Sequence, residues 1–239
     1  MPDNDVAVVV GAGPGLGAAL ARRFIGSGMR VAIARRDASA LTALLAELGE
    51  SARGYACDAT DERAVADLFA SVTRDFGIPR LVVFNAGGFV RKGLLDTSRE
   101  EFERCWRTGC LGGFLVGREA ARAMLAVPQS RHRGTIIFTG ATASLRGGAN
   151  FHNLAVPKFA LRALSQSMAR EFQPQGIHVA HVIIDGQIES DRPGRRVAER
   201  GVDAVLSPDA IAETYYQIHL QPPSAWTLEL DLRPYVEKF

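Results

Sequence analysis

The sequence predicts an α/β protein organised on one doubly wound parallel sheet of about seven strands, with helices on both faces. Three observations carry that expectation. Apolar, β-branched runs alternate with stretches of helical periodicity along the whole chain. The opening run, Val6-Ala7-Val8-Val9-Val10, has no polar alternation, as a strand covered on both faces requires. Connections are mostly short, and no linker, repeat or low-complexity segment divides the 239 residues.

Taken in order, strands are expected at Val6 to Val10, Arg30 to Ala34, Arg53 to Cys57, Leu81 to Phe84, Thr135 to Thr139, Ile177 to Ile184 and Trp226 to Leu232. A helix is expected from Ala18, straight after the glycines that stop the first run. Leu41, Leu44, Leu45 and Leu48 give helical spacing to 38–48. Val65, Leu68, Phe69 and Val72 form one stripe over 62–76, behind N-cap side chains in Asp58-Ala59-Thr60-Asp61. A long helical region follows from about Ser98 to Ala126, with glycines at 109, 112, 113 and 117. Phe159 to Phe172 reads as a strong helix, and Pro208 to Leu220 as another with Ser207 as N-cap and proline at its first position. Pro157 lacks an N–H and disfavours helical geometry at Val156. The helix bearing Lys158 is therefore expected to start late or to be irregular before residue 157.

Composition narrows the classes. Hydrophobic content of 47% suits a packed core. A formal charge of +2, spread along the chain, argues against a nucleic-acid or membrane-surface partner. Arg131-His132-Arg133 and the arginines of 192–200 read as solvated loops. Cys57, Cys105 and Cys110 have no metal-ligand spacing and suit reduced thiols, so no metal is expected. Met1-Pro2-Asp3-Asn4-Asp5 is acidic and lacks signal-peptide order, and no apolar run reaches about 18 residues. A cytoplasmic protein with a small-molecule substrate is the expectation.

In a sheet of this kind ligands sit at the carboxyl ends of the strands. After the first strand come Gly11, Gly13, Gly15 and Gly17, with Pro14 and Leu16 among them, and then a helix. Such a turn lets backbone N–H groups approach a phosphate where the helix adds partial positive charge. Leu16 occupies the last glycine place of the usual G-x-G-x-x-G. Arg35 and Arg36 stand eighteen or so residues past Gly17, where NAD-binding folds carry a carboxylate. Guanidinium grips a 2′-phosphate that a carboxylate would repel, which favours NADP(H) over NAD(H). Asp58 is placed to reach an adenine edge, to cap the next helix, or both. Asn85-Ala86-Gly87 ends the fourth strand with an amide and approachable backbone.

These pieces, with Lys158 in its helix and Asp185-Gly186-Gln187-Ile188-Glu189-Ser190, make the whole chain resemble the short-chain dehydrogenase/reductase family. The last segment corresponds to the family's Pro-Gly-x-Ile-x-Thr, with Asp185 in place of proline. The resemblance implies one Rossmann-like domain over 1–239, a nicotinamide cofactor, hydride transfer, and homodimers or homotetramers packed through the long helices. The cofactor contacts it implies are Gly11, Gly13, Pro14, Gly15, Leu16, Gly17, Arg35, Arg36, Asp58, Ala59, Asn85, Ala86, Gly87, Thr139, Lys158, Gly186 and Ile188. A substrate lid is expected around 188–206, where Arg192, Arg195, Arg196 and Arg200 either attract an anionic substrate or are solvated charge. Tyr235, Val236 and Phe239 would pack at an oligomer interface or cover a neighbouring site.

The catalytic tetrad of that family, asparagine, serine, tyrosine and lysine, is kept only at Lys158. Leu154 stands at the tyrosine place, Ala141 at the serine place and Gly109 at the asparagine place; Phe151 holds the position at which enoyl reductases of the superfamily carry tyrosine. Leucine cannot protonate an alkoxide. Candidate replacements are His152 and Thr142, with Asn153 and Ser144 nearby; His152 also suits a surface or capping role. Tyr215 and Tyr216 read as packing or interface residues, and His178 and His181 as structural. The expectation is an NADP(H)-dependent oxidoreductase with non-standard acid–base groups, acting on a small carbonyl or an activated C=C bond. Dienoyl-CoA reductases are similar in keeping lysine without tyrosine at the usual place. The alternative is a non-catalytic NADP(H)-binding protein.

Overall fold

A computed structural model describes residues 5–128, 130–191, 193–201 and 203–237. The expectations placed on residues 1–4, Arg192 and Phe239 lie outside the described residues. Seven strands form one parallel sheet: β1 (Val6–Val10), β2 (Arg30–Arg35), β3 (Ala52–Ala56), β4 (Pro79–Phe84), β5 (Gly134–Thr139), β6 (Ile177–Ile184) and β7 (Glu229–Leu232). Their order across the sheet is β3-β2-β1-β4-β5-β6-β7. The chain runs outward from β1 to β3, then returns to β4 on the other side of β1. The carboxyl ends of β1 and β4 therefore bracket the switch point at which such sheets take ligands.

Two apolar layers cover the sheet. Val6, Val8 and Val10 pack with α3 (Glu62–Asp75), α5 (Gly112–Leu125) and α6 (His152–Phe172), through Val65, Val116 and Leu161 among others. Ala7 and Val9 face the opposite layer, made by α1 (Leu16–Ile25) and α8 (Pro208–Leu220) through Leu20, Phe24, Ile211 and Tyr215. The unbroken valine run thus has a physical cause, since both faces of β1 meet helices. Between these lie α2 (Thr42–Leu48), α4 (Arg99–Trp106), which a π-helical turn at Arg107–Leu111 joins to α5, and the short α7 (Val197–Arg200). Ser207 caps α8 by accepting from the Ala210 N–H, with Pro208 at the first position. Among the described residues, no helix is long and apolar enough to cross a membrane.

Three expectations need correction. Asp61, not Asp58, caps α3, accepting from the Ala64 N–H. β7 is shorter than the alternation in 226–232 suggested, because 223–225 form a 3-10 turn that delivers the chain late to β6. The largest change concerns Pro157. α6 begins at His152 and runs 21 residues with the proline inside it. The first turn closes without help from residue 157, as the Phe151 carbonyl accepts from both Leu154 and Ala155 N–H groups. The missing N–H removes only the bond that the Asn153 carbonyl would receive.

The amino ends of β5 and β6 hold a cluster of buried imidazoles at the pole opposite the switch point. The Thr135 hydroxyl sits between His132 Nε2 at 3.2 Å and His219 Nδ1 at 2.9 Å. His178 stacks on Trp226 with centroids 4.9 Å apart. Burial lowers His132 to about 4 and His219 to about 3, with Arg80 adding repulsion. His181 is held near 4 by burial and by the Lys158 charge. Each of these groups binds a proton more readily unfolded than folded. Their contribution to stability is whole above about pH 6.5 and is lost as pH falls toward 4. Thermal denaturation is expected to show a midpoint at least about 4 °C lower at pH 5 than at pH 7, and His219→Gln should flatten that fall.

Candidate active site

At the switch point the glycine turn is clamped from two sides. The Gly11 N–H donates to the Ala34 carbonyl of β2 at 2.9 Å, and its own carbonyl accepts from the Asn85 side-chain amide at 3.2 Å. Gly11 has φ of +92°, and a Cβ there would lie 2.5 Å from the Ala86 backbone nitrogen. No other residue type fits, because the conformation and the space both exclude a side chain. Gly13 and Gly15 differ, since a Cβ on either would meet nothing within 4 Å. No side chain caps α1, and its first turn carries no acidic residue. Its N-terminal N–H groups therefore suit an anion.

A cleft of about 630 Å³ opens over this turn. Gly11, Gly13, Pro14, Arg35, Arg36, Asp58, Ala59, Asn85, Ala86 and Gly87 all line it, so ten of the positions expected from sequence converge. Asp58 uses one carboxylate oxygen to hold its own turn, accepting from the Thr60 N–H and hydroxyl at 2.9 Å. Gly15 lines a neighbouring hollow with Pro14, Arg22 and Glu189 to Asp191. Leu16 and Gly17 open α1 and are buried, with the leucine side chain in the core. Leu16 thus has only backbone to offer a ligand.

Lys158, on the seventh residue of α6, is 7% exposed and donates to the Thr139 carbonyl at the end of β5. Burial pulls its ammonium down to about 8. The Thr139 hydroxyl accepts from Tyr215 at 3.0 Å, which makes that tyrosine a brace for the strand end rather than packing alone. Nothing in the sequence could signal a pairing between residues 76 apart. α6 itself is tied to β7 by Arg162, whose guanidinium meets both Glu229 carboxylate oxygens at 2.8 and 2.7 Å.

The substitute acid–base candidates each have a partner within the protein. His152 Nε2 is 2.9 Å from the Thr97 hydroxyl, so its ring is engaged with the loop that follows β4. Asn153 donates to the Val90 carbonyl of that loop at 3.1 Å. Ser144 is buried against His181 Nε2 at 3.0 Å. Thr142 donates to the Asp185 carboxylate, which is 4% exposed and also takes Arg233 Nη2 at 3.0 Å. Gly186 lies under Pro234, and Ile188 bridges to Leu206 at the base of the 188–206 segment. In that segment Arg196 turns onto the Asp191 carbonyl and Glu199, which directs its charge into the segment and not toward the cleft.

Residues 5–201 match the short chain dehydrogenase family. The chain belongs to it. An "Inactive 2-(S)-hydroxypropyl-CoM dehydrogenase 2" of Xanthobacter autotrophicus is 31% identical over 195 residues, covering 81% of this chain and 82% of its own. A short-chain dehydrogenase structure from Rhodopseudomonas palustris is 39% identical with a TM-score of 0.83, over 98% of this chain and all of that one. A metagenomic short-chain oxidoreductase solved with NADP is 28% identical with a TM-score of 0.82, covering 97% of this chain and 98% of its own. Short-chain dehydrogenases are oxidoreductases that bind a nicotinamide cofactor, and the cleft lies where their parallel sheet changes direction.

The structure also explains one departure from the tetrad. A Cβ on Gly109 would lie 2.9 Å from Pro157 Cβ, so the π-helical turn and α6 touch where the family's asparagine would stand. Glycine at 109 leaves the room that the Cβ of residue 157 occupies. Gly109→Ala is expected to cost about 1–2 kcal/mol by overpacking, despite the better helix propensity of alanine. In the Gly109→Ala/Pro157→Gly double variant, which takes away the facing Cβ, the overpacking should vanish, and a coupling of at least about 1 kcal/mol in a urea-denaturation cycle is the outcome to look for.

Proposed function

We propose that this chain is an NADP(H)-dependent oxidoreductase with non-standard acid–base groups, acting on a small carbonyl or an activated C=C substrate. The observation that carries the cofactor reading is that Arg35 and Arg36 line the same cleft as Gly11, Gly13 and Pro14. The cleft suits a dinucleotide phosphate: space stands open at Gly13 and Gly15, and α1 presents an uncapped N-terminus beside them. In this reading the backbone from Gly13 to Gly17 holds the pyrophosphate, Arg35 and Arg36 grip the 2′-phosphate, and Asp58 and Ala59 face the adenine. Asn85, Ala86, Gly87, Thr139, Gly186 and Ile188 border the nicotinamide end. Lys158 bonds the ribose, and its buried charge favours negative charge developing on a substrate oxygen. When bound, the cofactor supplies a hydride.

Reduction of an activated C=C bond suits this site, because the enolate formed can take its proton from water. A second reading, a non-catalytic NADP(H)-binding protein, is favoured by Leu154, Ala141 and Gly109, which leave three tetrad places without a proton-bearing side chain. The setting that goes with either reading is the cytoplasm, as a homodimer or homotetramer.

Fluorescence titration is expected to give NADPH binding at least about tenfold tighter than NADH, with Arg35→Ala/Arg36→Ala weakening NADPH by about 10- to 100-fold and leaving NADH unchanged. NADH binding as tightly as NADPH would remove the argument from the two arginines. NADPH consumption against ketones, aldehydes and enones then separates the readings: turnover supports the enzyme, and micromolar NADPH binding without any turnover supports the binder. Because its ring is turned to Thr97, His152→Ala should leave any turnover within about twofold.

A further inference from the structure

We propose that Thr142 and Asp185 form a hydrogen-bond-accepting pair that selects a hydroxyl-bearing substrate, the alcohol member of the redox couple. The proposal rests on the carbonyl branch of the reading above, run in the oxidative direction, with the nicotinamide end of the cofactor at the carboxyl ends of β5 and β6.

Thr139 of β5 pairs with Val182 of β6, and Thr142 and Asp185 each follow three residues beyond. The two side chains therefore leave neighbouring strands at one level, next to the Thr139 carbonyl that anchors Lys158. Asp185 stands where the family carries proline, a residue with no polar side chain. Its carboxylate is held on both sides: one oxygen takes the Thr142 hydroxyl and the other takes Arg233 Nη2 at 3.0 Å. Its backbone N–H donates to the Leu232 carbonyl at 2.8 Å, which fixes the turn.

The donor and acceptor inventory then dictates what this pair can recognise. A guanidinium only donates, so Asp185 meets Arg233 as a carboxylate, and a carboxylate only accepts. Thr142 must therefore be the donor in its contact with Asp185. A hydroxyl has one proton, and here it is spent. Thr142 is half-buried, and its oxygen keeps only lone pairs for a ligand. A carbonyl presented to it would bring lone pair against lone pair, whereas an alcohol O–H donates. The same two hydrogen bonds form a proton path for alcohol oxidation: as the carbinol carbon gives its hydride to an oxidised nicotinamide and its C–O bond becomes C=O, the alcohol proton moves to Thr142 and the proton of Thr142 moves to Asp185. Thr142 ends as it began, and Asp185 ends as the neutral acid beside Arg233. Thr142 is the group that touches substrate, and Asp185 and Arg233 position it.

Binding of 1-phenylethanol and acetophenone, a pair alike in shape and opposite in hydrogen-bond role, tests the proposal by calorimetry. An aromatic probe suits the loops beyond β4 and β5, where Phe89 and Phe151 stack at 5.2 Å. The alcohol is titrated into NADPH-loaded protein and the ketone into NADP+-loaded protein, so neither complex can turn over. The wild type is expected to bind the alcohol about tenfold tighter. Asp185→Asn should reverse that ratio, because the amide donates to Thr142 and frees its proton for the ketone. Should Asp185→Asn fail to fold, judged by thermal denaturation, Thr142→Val carries the test and should abolish the alcohol preference. A purely structural Asp185 would leave the ratio unmoved in the folded variants. Equal binding, ketone preference, an unmoved ratio, or no binding of either probe to the cofactor-loaded protein overturns the proposal. Failure of the wild type to bind either cofactor overturns the reading beneath it, and this one with it.

Discussion

Between β1 and β4 the Gly11 backbone passes so close to Asn85 and Ala86 that no Cβ fits, and a left-handed φ is needed to make the pass. Everything at the cleft inherits its position from this contact. It brings the Asn85 amide onto the Gly11 carbonyl, aims the start of α1 at open space, and sets the ends of β2 and β4 on either side. A side chain at Gly11 would push β1 from β4 at the one place where the sheet changes direction. By contrast Gly13 and Gly15 face emptiness, and the same residue type there serves access. One short turn thus uses glycine for two different physical reasons.

Much of this was legible in the linear sequence because it is local. Strand identity followed from β-branched runs, and helix starts from side chains such as Ser207 and Asp61 that satisfy N–H groups two or three residues on. The convergence of Gly11, Arg35, Asp58 and Asn85 followed from one rule about strand ends. What was not legible depends on partners distant in sequence. Pro157 in α6 packs against Gly109, 48 residues earlier, where a Cβ would lie 2.9 Å from its own. Tyr215 braces Thr139 across 76 residues, and Asp185 finds Arg233 on a segment with no motif of its own. Such pairings leave no periodic trace, so only the folded chain displays them.

The missing tetrad groups are not three independent losses. At 109 the asparagine place is filled by contact with α6, so restoring the side chain alone would meet Pro157. Beside Ala141, the hydroxyl of Thr142 is already committed to a carboxylate that the family pattern does not contain. Lys158 keeps its burial and its strand-end anchor, and so keeps its electrostatic effect without the tyrosine it accompanies elsewhere in the family. The polar groups around Lys158 are thus reassigned among themselves, and the change extends from the π-helical turn to the segment after β7.

That last segment has a consequence for the order in which the protein comes into being. Arg233 and Pro234 complete the floor at Asp185 and Gly186, yet they are synthesised after every other residue of the site. A nascent chain that has emerged only as far as α8 has its glycine turn, its arginines and Lys158, but its Asp185 carboxylate has no guanidinium beside it. Asp185 and Gly186 therefore acquire their last neighbours only once the segment after β7 has been made.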